Sequence, residues 1–334
     1  MLELIIAVFL LFTLIFYAVT GGADSGGGIW DLLASGPRRE AQRSAIAKAI
    51  GPIWEANHVW LILIVVLLFT AFPRAFSVIM TALFIPVTLM LIGVIFRGSA
   101  FIFRKYDSRA EEVQNRWSTI FGAASFFTPF VQGITLGALA TGQIRVSTSQ
   151  VTTGFFAGWL VPFAIVCGFF ALSLCAFLAA TYMTVDTTKQ RDLQNDFRLR
   201  ALWSGVALGP LAAAALLTAK TGAPQIFQGL MRWWMVPLVG TTVCVAVVAL
   251  MTLWWRKFQL ARVSAIATTA LILIGWSLAQ FPYLVVPDLT IPDAAAPLIT
   301  LRLLLIALLV GAVLLFPSLF FLFWIFKSEQ SNLE

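Results

Sequence analysis

Runs of about twenty apolar residues, the length a helix needs to cross a bilayer, recur from one end of this chain to the other. Nine stand out, at residues 3–23, 51–72, 76–98, 117–140, 155–183, 200–219, 233–255, 262–283 and 299–326. Only short polar stretches separate them, so little is left for a water-soluble domain. The chain has 334 residues, of which 60% are hydrophobic and 11% charged, and its mean hydropathy is +0.93. Such a composition makes lipid the solvent for most of the surface. The expectation is an all-α integral membrane protein, one polytopic unit over residues 1–334. The 155–183 run is long enough to tilt or to project past the bilayer.

The first segment, MLELIIAVFLLF, carries an acid and no basic residue ahead of its apolar run. A secretory signal begins basic and ends in a small-residue cleavage site, so this segment is expected to remain as a span. Cys167, Cys175 and Cys244 all fall inside spans and are too scattered for a zinc site. Charge sets the orientation. Of the 22 lysines and arginines, only Arg74, Arg145, Lys220, Arg232 and Arg302 fall on one side of a nine-span layout. The side holding the others is cytoplasmic by the positive-inside rule, with the N-terminus outside and the C-terminus inside. Topology thus accounts for the net charge of +7, and no nucleic-acid partner is needed. Trp233 and Trp234 open the seventh span and Trp254 and Trp255 close it, the interfacial places such rings prefer.

Topology leaves some polar groups unexplained. The first span ends in AVTGGADSGGGIWDLL, and a continuous helix carries Asp24 about 33 Å from Leu2. The second begins GPIWEANHVWLI, with Pro52 suited to a first helical turn and Glu55 close behind it. Asp24, Glu55 and His58, the lone histidine, can therefore gather at one depth near the inner face. Glu55 and His58 point about 60° apart on a helix. Trp54 shares the His58 face, and Asn57 and Trp60 form a neighbouring stripe. Ionisable groups in spans normally face the protein interior. Gly22 and Gly26 have the small-xxx-small spacing that lets another helix approach. The plainer alternative is that Asp24 merely ends a helix and Glu55 sits in headgroup water.

Several chemistries fail on inventory. GGADSGGG lacks the lysine of a phosphate loop and follows no strand. EANH supplies one Glu-x-x-His pair where a di-iron bundle uses two. One histidine cannot ligate a haem from both sides, and nothing supports a His–Met pair. No metal ligand set is expected, and no nucleophile, base and acid set is present. His58 reads as a hydrogen-bonding or proton-handling residue. Arg97, at the inner end of the third span, could reach headgroup water by snorkelling, or contact a quinone headgroup or haem propionate. Asp288 and Asp293 belong to a proline-rich external loop.

AVTGGADSGGG closing the first span, IGPIWEANHVWLI opening the second, LIGVIFRGSAFIFR closing the third and FPYLVVPD after the eighth resemble subunit II of the cytochrome bd-type quinol oxidases. The likeness in length, span number and orientation extends over essentially the whole chain. It implies two four-helix bundles plus one peripheral helix, in the bacterial plasma membrane, paired with a similarly folded subunit I. That partner would carry haems b and d and the external quinol site. Together the two would oxidise quinol and reduce dioxygen to water with cytoplasmic protons. Subunit II would stabilise the complex and contribute to the proton route, and in some members it also holds a structural quinone. An additional small single-span subunit is a further candidate partner.

Carried over by position, Asp24 matches the acid of the first-span motif. Glu55 stands where the second usually has aspartate, with Trp54, Asn57 and Trp60 matching their neighbours. Two departures matter: Gly21 replaces another frequent aspartate, and His58 replaces a frequent glutamine. The proton-pathway expectation is Asp24, Glu55 and His58, supported by Trp54, Asn57 and Trp60. The competing readings are a scaffold subunit with no proton role and a secondary transporter. The transporter would favour broken helices at mid-membrane in matching halves.

Overall fold

The computed structural model describes every residue except 52–53, 107–110, 148–149 and 333–334. Thirteen helices lie along the described chain: α1 (Leu2–Leu32), α2 (Arg39–Ile50), α3 (Trp54–Ala71), α4 (Pro73–Ala82), α5 (Phe84–Tyr106), α6 (Glu111–Ala140), α7 (Pro162–Asp186), α8 (Arg191–Gly222), α9 (Pro224–Leu230), α10 (Val236–Trp254), α11 (Phe258–Gln280), α12 (Ile291–Ala294) and α13 (Leu298–Asn332). Among the described residues, nine of them are long and apolar enough to cross a membrane, in the order expected. They form one bundle of α1, α3, α5 and α6 and a second of α7, α8, α10 and α11, joined where α1 and α6 pack on α7. The ninth, α13, leans on α1 and α3 from outside.

The span ends differ from the hydropathy reading. α1 does not stop at Asp24 but continues to Leu32, so a helix 31 residues long reaches about 46 Å. The third span starts at Phe84 rather than residue 76, because α4 is a separate short helix entered through Pro73. Residues 155–161 form turns, and Pro162 opens α7 at its N-terminus, a position where a missing N–H costs nothing. The expected helix start at Pro52 lies outside the described residues.

Two cores cap the first bundle. At the end carrying the N-terminus, Ile6, Leu67, Phe72, Leu83, Ile144 and Val285 are buried together. Over them fold two antiparallel hairpins, β1 (Val146–Ser147) with β2 (Gln150–Val151) and β3 (Tyr283–Val285) with β4 (Leu289–Thr290). Asp288 ties the two hairpins: its Oδ2 accepts from Val146 N at 2.8 Å and from Arg145 Nε at 3.0 Å. Asp293 N donates to the Thr290 hydroxyl that caps α12. Both loop acids therefore have local structural work. At the opposite end α2 lies across the bundle, burying Ile46 and Ile50 with Phe101, Phe121, Met183 and Phe197. Arg38, just before α2, grips Asp196 of α8 through Nε and Nη2 at 2.9 and 2.6 Å.

Candidate functional site: a buried charge ladder on the first helix

α1 sits at the centre of the molecule, between α3, α6, α7 and α11. Its glycine run makes that possible. A Cβ on Gly26 would stand 1.9 Å from the Cys175 carbonyl oxygen of α7, and one on Gly28 would stand 2.0 Å from Ser125 Oγ of α6. Without side chains at these positions, neighbouring backbones close around α1, as small-residue faces allow. Further stitches follow: Trp30 Nε1 donates to Ala176 O at 2.7 Å, and Gln132 Nε2 to Tyr17 Oη at 2.6 Å. The acids carried by this stretch are consequently removed from both lipid and water.

Asp24 is 4% exposed, and Arg97 of α5 is 3% exposed. Arg97 Nη2 approaches Asp24 Oδ1 to 2.6 Å. The angles of that approach are not those of a hydrogen bond, and neither Asp24 oxygen has a hydrogen-bond partner among the described residues. The contact is therefore a close ion pair with hydrogen-bonding capacity unspent. Arg97 also donates through Nε to Ser125 Oγ at 3.1 Å and stacks 5.4 Å from the Phe121 ring centroid. It does not snorkel; its guanidinium turns inward, because a buried carboxylate offers what headgroup water otherwise would.

One heptad further along, Asp31 is wholly buried. Arg104 Nη1, seven residues after Arg97, donates to Asp31 Oδ1 at 2.9 Å. Arg43 of α2 donates through Nε to the Asp31 carbonyl at 3.3 Å and through Nη1 to Asn115 Oδ1 at 3.5 Å. In the sequence alone Arg43 and Arg104 stand only as topological charge, and no motif marks Asp31. The signal was present as matched seven-residue spacings, Asp24 to Asp31 and Arg97 to Arg104, which keep each pair on one helix face. That α1 and α5 present those faces to each other is a tertiary fact.

The second-span residues divide. Asn57 is buried and donates through Nδ2 to Thr20 O at 3.5 Å, one turn before Asp24. Trp60 is buried with its ring 4.7 Å from that of Phe16. Trp54 is half-buried, 5.9 Å from the Phe101 ring and edge-on to His58 at 6.0 Å. His58 is half-buried, with Nδ1 2.8 Å from Trp54 O. Glu55 is exposed on the surface of the chain. Its direction on α3 is about 160° from that of Asn57, so it faces away from α1. The rule that ionisable groups in spans point into their own chain holds for Asp24 and not for Glu55.

Among the described residues, no three His, Cys, Asp or Glu side chains converge to hold a metal ion.

A model of the cytochrome bd terminal oxidase subunit II family matches residues 2–326. The cytochrome bd-I ubiquinol oxidase subunit 2 of Escherichia coli (strain K12) is 24% identical over 304 residues, 81% of this chain and 78% of its own. A putative cytochrome bd menaquinol oxidase subunit II of Bacillus subtilis (strain 168) is 24% identical, with 99% of this chain and 98% of that protein covered. The solved structure of bd oxidase from Geobacillus thermodenitrificans shares the fold, with a TM-score of 0.77 and 20% identity over 97% of this chain and 98% of that one. The chain, a multi-pass protein of the bacterial inner membrane, belongs to the cytochrome bd terminal oxidase subunit II family.

Proposed function

We propose that this chain pairs with a haem-bearing subunit I to form a quinol oxidase, stabilises that partner, and helps carry cytoplasmic protons toward the site where dioxygen is reduced. The haems supply the electron transfer and oxygen chemistry from subunit I. This chain's residues hold and move protons. The observation that carries the proton role is the Asp24 carboxylate, buried with no hydrogen-bond partner among the described residues. Such atoms in folded proteins are met by internal water, and a hydrated acid inside a bundle is what a proton route requires.

Glu55 fits the same reading from the outside. Glu55 is exposed in the first turn of α3, and contact with subunit I would cover it and align it with the route. A quinone headgroup or haem propionate reaching Arg97 would have to share that guanidinium with Asp24. The same pairing favours a second reading, in which Asp24 and Arg97 only hold helices together and the chain is a scaffold. A structural quinone and a small single-span subunit remain additional partners of the proposal.

The test is made on the complex co-purified with subunit I. Haem b and d absorption bands and quinol-dependent oxygen consumption are expected. Glu55→Gln should slow oxygen consumption and charge translocation while haem content stays at the parent level. If Glu55, His58 and Asp24 can all be neutralised without changing the rate, the scaffold reading replaces the proton reading.

A further inference from the structure

We infer that Asp31 is a second station of the proton route, joined to Asp24 by internal water along one face of α1. The inference rests on the proton role proposed above and extends it to a residue outside the first-span motif. Three helices carry the matching parts in two tiers. The upper tier holds Asp24, Arg97 and Ser125. The lower tier holds Asp31 and Arg104, and Ser118, buried on α6 two turns from Ser125, is the residue that the same seven-residue spacing brings to that level.

The tiers are about 10 Å apart along α1, a gap that a few waters can bridge. The unspent hydrogen-bonding capacity is concentrated here. Asp24 Oδ1 and Oδ2, Asp31 Oδ2 and Arg97 Nη2 are all buried without a hydrogen-bond partner among the described residues. Asp24 Oδ1 and Arg97 Nη2 lie against each other at 2.6 Å, so the two outer oxygens, Asp24 Oδ2 and Asp31 Oδ2, are the ones that call for a water. From the upper tier, Ser125 Oγ accepts from Arg97 and retains its own proton to donate toward the lower one. At Gly28, midway between the two acids on the same stripe, the absent side chain admits that hydroxyl.

Asp31 itself is wholly buried, and its partners connect it to the surface. The Arg104 side chain is 19% exposed, and Asn115, which accepts from Arg43, is exposed. A proton arriving there passes to the Asp31 carboxylate, moves on through water to Asp24, and leaves Asp31 ionised again between Arg43 and Arg104. Those two guanidiniums compensate the resting charge, which makes complete burial tolerable.

The experiment compares Asp24→Asn, Asp31→Asn and Asp31→Glu in the complex purified with subunit I. Asp31→Asn is expected to lower quinol-driven oxygen consumption at least about tenfold with haem spectra unchanged and with a larger slowing in D2O. Asp31→Glu, which restores a carboxyl, is expected to recover most of the rate. Slowing by Asp24→Asn but not by Asp31→Asn would remove Asp31 from the route and leave the proton role standing. If neither slows turnover, the proton role itself falls. If Asp31→Asn fails to assemble, radiolytic labelling of the unsubstituted complex in 18O water decides. Label on Phe121, which is 1% exposed, supports internal water at the ladder, and an unlabelled Phe121 overturns it.

Discussion

Asp24 and Arg97 face each other across the first bundle at 2.6 Å, each side chain 3% exposed. Removing one partner leaves the other charge buried and uncompensated, a loss of about 3–5 kcal/mol in such sites. Replacing both by apolar residues removes the two desolvation costs together. Asp24→Leu and Arg97→Met singly are therefore expected to lower the melting temperature of the purified complex sharply. The double variant is expected to melt closer to the parent, and a double-mutant cycle on melting temperature checks this.

Gly26 is where α1 and α7 touch backbone to side-chainless backbone. A methyl group there would lie 1.9 Å from Cys175 O and 2.7 Å from Ala179 Cβ, and backbone cannot step aside as a flexible side chain can. Gly26→Ala is expected to separate the two bundles and abolish recovery of folded protein. Gly240, in the interior of α10, has nothing within 4 Å of a Cβ. Gly240→Ala is expected to be neutral or to stabilise by up to about 1 kcal/mol through helix propensity. Yield and thermal stability of the two variants side by side are the measurement.

Span number and span order are legible in hydropathy alone, because lipid imposes length and polarity on every crossing segment. The end of α1 is not. Glycine and aspartate in GGADSGGG carry the local character of a helix terminus, and only α6 and α7 closing on those glycines keep the helix running to Leu32. Asp31 lies in that extension, beyond the end that local residue character suggests. Arg104 reads as an ordinary inner-face charge, and Arg97 as one that snorkels or contacts a quinone headgroup or haem propionate, since their partners lie 73 residues away on another helix. Glu55 and Asn57 were readable as a motif, but which of them faces α1 depends on how α3 is rotated, and rotation is set by packing.

His58 offers a cleaner separation of roles. Nδ1 lies 2.8 Å from Trp54 O, and a carbonyl can only accept, so Nδ1 carries a proton and a neutral ring leaves Nε2 as an acceptor. Glutamine can reproduce a donor and an acceptor but does not titrate. If the imidazole serves by hydrogen bonding, His58→Gln keeps the parent rate of oxygen consumption and His58→Leu loses it. If it serves by taking up a proton, both variants slow. The first outcome is expected, because Nδ1 is already committed to the Trp54 carbonyl. Oxygen consumption by the purified complex of each variant distinguishes the two.

Orientation follows from the basic residues and has its own test. Gly154, near the hairpin of β1 and β2, and Gln190, between α7 and α8, are both exposed and lie at opposite ends of α7. The connections on the Gln190 side hold most of the 22 lysines and arginines, and each basic residue near a span end opposes translocation during insertion. In a background with Cys167, Cys175 and Cys244 replaced by alanine, Gly154→Cys is expected to react with a membrane-impermeant maleimide in spheroplasts. Gln190→Cys is expected to react only in inverted vesicles. The reverse pattern would put Asp31 and its arginines on the outer surface, where they could not collect cytoplasmic protons, and the ladder would need a different purpose.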